Sequence, residues 1–209
     1  MGGARGLRNV SMAFFRTVGY SDASVIEGDG VALRAPQMGD YAEWAALREA
    51  SRSFLTPWEP TWPADDLTRA AFRRRLRRYA EDVRTDQSYA FFVFRERDNV
   101  LVGGLTLANV RRGVAQAGSL GYWMGQPHAG LGLMTAAVRA LIPCAFGALG
   151  LHRLEAACIP TNVASISLLE KTGFVREGYA REYLCINGTW QDHLLYARLK
   201  DDSRPAQDV

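Results

Sequence analysis

A glycine-rich turn in the middle of the chain, residues 123–135, constrains the fold more than any other stretch. The aromatic and apolar run that precedes it, residues 120–124, predicts a β-strand, and the apolar pattern of residues 131–148 predicts a helix. A helix that begins in a glycine turn offers N–H groups without intrahelical partners, and the helix dipole adds partial positive charge there. The turn therefore predicts a site for a phosphate-bearing ligand, held by the amides of residues 128–135 rather than by a lysine.

Length, charge and cysteine usage limit the class of protein. The 209 residues suffice for one domain with a substantial core, and a net charge of +3 gives no reason to expect nucleic-acid binding. No apolar run is long enough to span a bilayer. Cys144, Cys158 and Cys185 lie at wide spacing inside apolar patterns, which favours buried free thiols in the cytoplasm over disulfides. The three histidines have no ligand-like spacing, so we expect no metal.

The order of predicted elements indicates an α+β fold with a mixed sheet. The elements are a strand at 31–36, a helix from 39, a helix at 67–83, strands at 89–95, 100–110 and 114–124, the helix at 131–148, a strand at 153–159, a short helix from 162, and strands at 174–186 and 190–199. The three central strands form an antiparallel meander, and Asn187–Gly188 predicts a tight hairpin turn. We expect a disordered extension over residues 1–27, one domain over 28–200 and a polar tail over 201–209.

Two stretches of the N-terminal half have more than one interpretation. Residues 54–63 carry three prolines and three large aromatics, which predicts a non-helical loop, either pinned to the core or forming a substrate-pocket wall with Glu59 inside it. Asp65 and Asp66 predict the cap of the next helix. The six arginines of that helix between residues 69 and 78 form a solvated face, which the pattern favours, or a patch for RNA or an acidic partner.

Four stretches of the chain resemble motifs of the GNAT acyl-CoA N-acyltransferases, and they follow one another in the order expected for that family. Residues 121–134 resemble the pyrophosphate loop of that family, and residues 160–174 resemble its second CoA-side motif. The loop 54–60 and the closing run 173–193 resemble the RimJ/RimL-like branch, the ribosomal-protein alanine N-acetyltransferases. The resemblance extends over residues 28–200 with one departure: Pro127 stands where many members carry Gln or Arg, so main-chain amides are expected to do most of the binding.

The resemblance implies a GNAT-type fold, a mixed, mostly antiparallel central sheet flanked by helices with a C-terminal β-hairpin. It implies transfer of an acetyl group from acetyl-CoA to an amine by direct attack in a ternary complex. The α-amino group of a protein N-terminus, such as that of a ribosomal protein, is the acceptor that it favours. Two alternatives stay open: a small amine (antibiotic, amino acid or polyamine) as acceptor, and a non-catalytic CoA- or RNA-associated module. Both a monomer and a homodimer are compatible with the pattern.

The residues implied to bind acetyl-CoA lie in the glycine turn and at the start of the short helix that follows residue 159. They are Trp123, Met124, Gly125, His128, Gly130, Leu131, Gly132, Leu133, Met134, Thr135, Asn162 and Ser165. Met124 or Gly125 would supply the N–H that meets the thioester oxygen. In the resembling family the Asn holds the pantetheine arm and the Ser protonates the CoA sulfur, although Asn162 is equally a good helix N-cap.

The remaining catalytic roles have several candidates. Tyr179 or Tyr183 could serve as proton donor in place of the serine. An N-terminal amine has an unperturbed pKa near ~8, so a weak base or a water chain suffices to deprotonate it. The carboxylates that could act as this base, or attract a cationic amine, are Glu59, Glu155 and Glu182. Glu182 lies on the strand expected to border the acceptor cleft, and Glu155 either faces the cleft or pairs with an arginine.

Overall fold

The structure, a computed structural model, describes residues 25–202, which form eight strands and five α-helices. The strands are β1 (Ile26–Glu27), β2 (Val31–Arg34), β3 (Tyr89–Arg95), β4 (Val100–Arg111), β5 (Ala117–Met124), β6 (Arg153–Cys158), β7 (Val175–Ile186) and β8 (Thr189–Leu199). The helices are α1 (Tyr41–Ala50), α2 (Arg52–Leu55), α3 (Arg69–Arg84), α4 (Leu133–Phe146) and α5 (Val163–Lys171). Single 3₁₀ turns occupy Met38–Asp40, Thr56–Trp58 and Gln126–His128.

All eight strands belong to one sheet with the order β1-β2-β3-β4-β5-β6-β8-β7. Every neighbouring pair is antiparallel except β5 and β6, which are parallel. The predicted α+β fold, with its meander and its C-terminal hairpin, is therefore confirmed. Strand β1 lies just before the predicted domain start at residue 28. The predictions for residues 1–24 and for the tail from residue 203 lie outside the described residues.

The parallel contact between β5 and β6 is short. Residues 117–119 pair with residues 153–155, yet β5 continues to Met124 and β6 to Cys158. Each strand follows its other neighbour instead, because β4 pairs with β5 as far as Met124 and β8 pairs with β6 as far as Cys158. The two strands therefore diverge beyond residue 119, and a gap opens between their ends.

The residues at the end of β5 alternate between the two faces of the sheet. Tyr122 and Met124 pack against the larger hydrophobic core, which includes residues of α4 and α5. Trp123 packs against the second core, which contains Trp44 of α1 and Phe72 of α3. Helices α4 and α5 thus cover one face at the gap, and α1 and α3 cover the other.

The prediction of a non-helical loop over residues 54–63 is wrong for its first half. Helix α2 runs to Leu55, and a 3₁₀ turn follows over Thr56–Trp58. Pro57 lies at the beginning of that turn, where the missing N–H breaks no hydrogen bond, so the proline is accommodated. Residues 59–63 are non-helical, as predicted.

The predicted cap of α3 is also wrong. Thr68 is the N-cap, and its hydroxyl accepts a hydrogen bond from the main-chain N–H three residues on, at 3.2 Å. Asp65 and Asp66 instead form ion pairs with Arg74 and Arg75, one turn and a half into the helix. Tertiary charge pairing therefore outweighed the local capping preference of these aspartates.

The cysteines are free, but they are not all buried. Cys158 is buried, Cys144 is partly buried and Cys185 is exposed on β7, so burial was wrongly expected for the last. Within residues 25–202, no helix combines the length and the apolar character needed to cross a bilayer.

Candidate active site

A main-chain donor at the end of β5 faces the gap. The N–H of Gly125 donates to the carbonyl oxygen of Val102 in β4 at 2.8 Å. Because successive N–H groups of a strand point to opposite sides, the N–H of Met124 points away from β4 and into the gap. Of the two donors predicted for the thioester oxygen, Gly125 is therefore excluded and Met124 remains.

Two hydroxyl groups share a hydrogen bond beside this donor. Ser165, in the first turn of α5, is 8% exposed, and its Oγ lies 2.6 Å from the phenolic oxygen of Tyr122 on β5. Asn162 is the N-cap of α5, because its Oδ1 accepts the N–H of Ser165 at 3.1 Å. Burial raises the pKa of Tyr122 and the hydrogen bond with Ser165 only partly opposes this, so the phenol is protonated at neutral pH.

Tyr122 and Cys158 belong to this cluster although neither was predicted. Burial raises the pKa of the Cys158 thiol, and a hydrogen bond with Ser165 acts in the opposite direction. An aromatic residue in a strand and a cysteine in an apolar run are both typical of core positions, so the sequence pattern did not indicate that either residue belongs to a site. The alternation of β5 was the available signal, since Tyr122 lies two residues before Met124 and so shares its face of the sheet.

The glycine turn presents a row of free main-chain amides. Gly130 and Gly132 have φ of 75° and 77°, a left-handed conformation that glycine adopts without strain. The first helical hydrogen bond of α4 joins the N–H of Ala136 to the carbonyl of Gly132 at 3.0 Å, so the preceding amides have no intrahelical acceptor. Within this turn, the N–H groups that have no main-chain acceptor among residues 25–202 are those of Gly130, Leu131, Gly132, Leu133, Met134 and Thr135.

Two of the main-chain amides predicted to bind the anion donate to carbonyl groups of the turn itself. The N–H of His128 donates to the carbonyl of Gly125 at 2.9 Å, and that of Ala129 donates to the carbonyl of Gln126 at 3.2 Å. The N–H of Gln126 in turn donates to Oγ of Ser51 at 2.9 Å, which fastens the turn to the end of α1. The predicted anion site therefore narrows from residues 128–135 to residues 130–135.

A cavity of about 530 Å³ adjoins the start of α4. It is lined by Gly30, Arg95, Glu96, Arg97 and Leu133. Arg95 and Arg97 both form ion pairs with Asp98, at 2.7 and 3.7 Å, and the side chain of Arg97 is 76% exposed. Positive side chains next to a helix N-terminus with free amides suit the phosphate groups of an acyl-CoA.

On the opposite face of the sheet, Glu59 is held by three donors. Nη1 and Nη2 of Arg48 lie 2.7 Å from its two carboxylate oxygens, and the indole N–H of Trp62 donates to Oε2 at 2.7 Å. The main-chain carbonyl of Glu59 accepts the N–H of Asn187 at the tip of the β7–β8 hairpin, at 2.9 Å. The carboxylate is thus engaged in holding the loop and is not open to a substrate amine.

The β7–β8 hairpin carries the other predicted candidates. Strand β7 has a bulge at residues 180–184, where Glu182 has φ of 46°. Asp192 fixes this bulge, because Oδ1 accepts the N–H of Glu182 at 2.8 Å and Oδ2 accepts the hydroxyl of Tyr179. The side chains of Glu182 and Tyr183 are exposed. Glu182 is therefore an accessible carboxylate on this hairpin, whereas Asp192 has a structural role.

Glu155 is not available as a base for the amine, because its carboxylate is paired with two arginines. Its two carboxylate oxygens accept hydrogen bonds from Arg111 at 2.6 Å and from Arg153 at 3.0 Å. Burial opposes ionisation of Glu155, but these hydrogen bonds outweigh it and lower the pKa of the carboxyl. The arginine-paired alternative for Glu155 is therefore the one that the structure bears out.

The fold and the gap together define an acyl-CoA-dependent acyltransferase. Residues 31–175 match the acetyltransferase (GNAT) domain, and the chain belongs to the GNAT acetyltransferase family. It is an N-acetyltransferase, so the reading as a module without transferase activity is wrong.

Within the family the chain is similar to ribosomal-protein acetyltransferases. It is 35% identical to the [ribosomal protein uS5]-alanine N-acetyltransferase of Escherichia coli, over 86% of this chain and 92% of that protein. It is also 35% identical to the probable N-acetyltransferase YjcK of Bacillus subtilis, over 85% of this chain and 98% of that protein. The structure of Mycobacterium smegmatis RimJ in complex with CoA-disulfide matches with a TM-score of 0.80 and 30% identity, over 88% of this chain and 89% of that chain. The predicted RimJ/RimL-like resemblance is thus confirmed.

Proposed function

We propose that this chain acetylates the α-amino group of a protein N-terminus, with acetyl-CoA as donor and direct attack in a ternary complex. The observation that carries the proposal is the gap between β5 and β6, bordered by the N–H of Met124 and the hydroxyl of Ser165. The free amides of residues 130–135 suit the pyrophosphate of the donor. The similar protein from Escherichia coli is named for the alanine of a ribosomal protein, and the similar RimJ structure contains a CoA disulfide.

The proposed reaction assigns one task to each group at the gap. The neutral amine attacks the thioester carbonyl carbon from the face that carries Trp123, and the N–H of Met124 donates to the oxygen that becomes negative. One preorganised donor of this kind contributes about 10²–10³ in rate. When the C–S bond breaks, the sulfur takes the hydroxyl proton of Ser165, and Tyr122 donates a hydrogen bond to the oxygen left behind. Oγ regains its proton from Tyr122, which is reprotonated by solvent, and the amine loses its proton to solvent, so that the protons balance over one turnover.

Glu182 is the carboxylate that we propose for the amine. Glu59 and Glu155 are both held by arginines, whereas Glu182 is exposed on the bulge of β7. Its bulge is fixed by Asp192, so the side chain leaves the strand at a defined point. An α-amine needs little help to lose its proton near neutral pH, so a solvated carboxylate or a water bound to it suffices. Tyr183 follows directly and borders the same surface.

The exposed aromatic side chains on this face favour a peptide over a polyamine. Trp58 is 36% exposed on the loop, and Tyr183 and Trp190 are 47% and 62% exposed on the hairpin that the loop contacts. Flat apolar rings pack well against a peptide chain, whereas a polyamine needs several free carboxylates. The Glu59 carboxylate is neutralised by Arg48, so it offers no free negative charge to a polyamine.

A panel of acceptors tests the proposal through thiol release from acetyl-CoA. The panel contains peptides that begin with Ala or Ser, the same peptides with a blocked α-amine, spermidine and an aminoglycoside. We expect the highest kcat/KM with the free peptides, acetylation of their first residue by mass spectrometry, and loss of about 10²-fold or more in kcat for Ser165→Ala. Turnover with a small amine but with no free peptide would overturn the peptide as acceptor.

The setting of this activity is part of the same proposal. We place the catalytic domain at residues 28–200, with β1 added at its start, and the protein in the cytoplasm, where ribosomal proteins are made. A monomer or a homodimer carries the complete set of groups at the gap, since all of them come from one chain.

A further inference from the structure

A buried ion pair connects helix α1 to the loop that follows it. Arg48 is 7% exposed, and both of its terminal nitrogens donate to Glu59 at 2.7 Å. Trp62 completes the pair by donating to the same carboxylate at 2.7 Å. Nε of Arg48 is buried and has no hydrogen-bond partner within residues 25–202. Since an unpaired buried donor disfavours folding, stability alone does not account for an arginine at this position.

The guanidinium of Arg48 also lies close to two tryptophan rings. Its carbon is 4.1 Å from the ring centre of Trp62 and 5.0 Å from that of Trp123. Trp123 directly precedes Met124, whose N–H faces the gap. A planar guanidinium can stack on aromatic rings and bind a carboxylate with two hydrogen bonds at the same time, which an ammonium cannot do. Arg48 therefore joins the loop to the strand end that carries the donor for the thioester oxygen.

The same end of α1 contacts the glycine turn through a different residue. Ser51 is fully buried, and its Oγ accepts the N–H of Gln126 at 2.9 Å. Apart from Trp123, Arg48 makes no hydrogen bond, ion pair or ring contact with residues 123–135. The end of α1 thus contacts the side of the amine substrate through Arg48 and the side of acetyl-CoA through Ser51. Substitutions can perturb the two contacts separately.

We propose that Arg48 is a positioning residue for the acceptor amine. Through Glu59 it holds the loop that carries Trp58 against the hairpin tip, and through Trp123 it fixes the strand end at which the amine attacks. Arg48 itself touches neither the acetyl group nor the amine. This inference rests on the proposed function, because the acceptor face is defined there.

The test compares substitutions at both contacts in steady-state kinetics. For Arg48→Met we expect a higher peptide KM and a lower kcat, together about 10²-fold in kcat/KM, since a misplacement of about 1 Å can have an effect of that size. The Kd of acetyl-CoA by calorimetry should stay within about twofold, because the cofactor turn keeps its own contact with Ser51. Ser51→Ala should show the reverse pattern, with weaker acetyl-CoA binding and an unchanged peptide KM.

Arg34→Met is the matched control. Arg34 forms the same two-pronged pair with the buried Asp40, at 2.9 and 2.6 Å, and its guanidinium lies 4.1 Å from the ring centre of Phe94. It lies on β2, away from the gap, so its loss should lower stability without changing either KM. If Arg48→Met does not fold, Glu59→Gln gives the same readout, because it removes the charge while keeping an amide that Arg48 can contact.

Two outcomes overturn the inference. One is a peptide KM that changes no more in Arg48→Met than in Arg34→Met. The other is an equal loss of affinity for both substrates, which would make Arg48 a general structural residue. If the wild type acetylates only a small amine, the proposed function fails, but the same comparison is made with that amine, so the two failures are distinguishable.

Discussion

Replacing Tyr122 by Phe removes one oxygen atom from the contact at the gap. The ring keeps its packing, so no cavity forms, whereas Oγ of Ser165 loses a partner at 2.6 Å. Leaving a buried polar atom without a partner costs about 1–3 kcal/mol. Ser165 is 8% exposed, so water compensates little, but the Cys158 thiol remains as a weak partner. We therefore expect the free energy of unfolding to fall by about 1–2 kcal/mol, in the lower part of that range.

The effect of Tyr122→Phe on the rate should exceed its effect on stability. As Ser165 gives its proton to the sulfur, negative charge develops on Oγ, and hydrogen bonds to charged groups are worth about 1.5–3 kcal/mol. This range corresponds to a loss of roughly 10- to 100-fold in kcat. The assay is continuous thiol detection with both substrates saturating, and calorimetry gives Tm for the same preparations.

Tyr196→Phe is the control for this prediction. Tyr196 is 2% exposed, and its hydroxyl lies 3.4 Å from Glu170, so its loss should change Tm but not kcat. If Tyr122→Phe keeps full kcat while Ser165→Ala loses about 10²-fold or more, the phenol has no part in proton transfer. If both variants keep full kcat, the serine is not the acid, and the reasoning about the gap is refuted.

Four further substitutions test other parts of the structure. Gly104→Ala would place a methyl group 2.3 Å from Nε1 of Trp123, so the indole must move, and we expect a higher acceptor KM in steady-state kinetics at an unchanged acetyl-CoA KM. Gly132→Ala has open space but strains a residue at φ of 77° by about 1–2 kcal/mol, and calorimetry should show weaker acetyl-CoA binding. Asn162→Ala removes the cap of α5 at about 1 kcal/mol, so Tm in a calorimetric scan should fall by about 2–4 °C. The pKa of Glu155 in the folded state is lowered from 4.5, so its pairing stabilises the fold above that value and is lost as the pH falls below it. Glu155→Gln should therefore lower Tm at neutral pH and flatten the decline of Tm as the pH falls below about 4.5.

Each of these has a contradicting result. An acceptor KM unchanged by Gly104→Ala would show that Trp123 does not border the acceptor. Full acetyl-CoA affinity in Gly132→Ala would remove the glycine turn from phosphate binding. An unchanged Tm in Asn162→Ala would show that the cap of α5 does not contribute to stability. An unaltered dependence of Tm on acidic pH in Glu155→Gln would show the same for the pairing of Glu155.

Features that depend on neighbouring residues were predicted well from the sequence. Asn187 and Gly188 have φ of 46° and 79°, as a tight hairpin turn requires, and few other residues adopt that conformation without strain. The glycines of the cofactor turn are left-handed for the same reason. Asn162 caps α5 through a partner only three residues away. In each case the chemistry of one or two residues restricts the backbone locally.

Contacts between distant residues were not predictable in the same way. Tyr122 and Ser165 are 43 residues apart, and only the register of β5 against its neighbours brings the two hydroxyls together. Glu59 was a reasonable base candidate on its own, but a buried arginine from the preceding helix occupies its carboxylate. The sequence pattern identifies which residues carry chemistry, whereas their partners depend on how the helices pack on the sheet.

The short contact between β5 and β6 makes the central sheet discontinuous. Three residue pairs join its two halves, and beyond them the ladder of hydrogen bonds is interrupted for the rest of both strands. Acetyl-CoA is the ligand proposed for this gap, and a ligand that binds only the folded state adds about 2.7 kcal/mol to stability at 100 times its Kd. We therefore expect the stability of the junction between the two halves of the sheet to rise with the concentration of the acetyl donor.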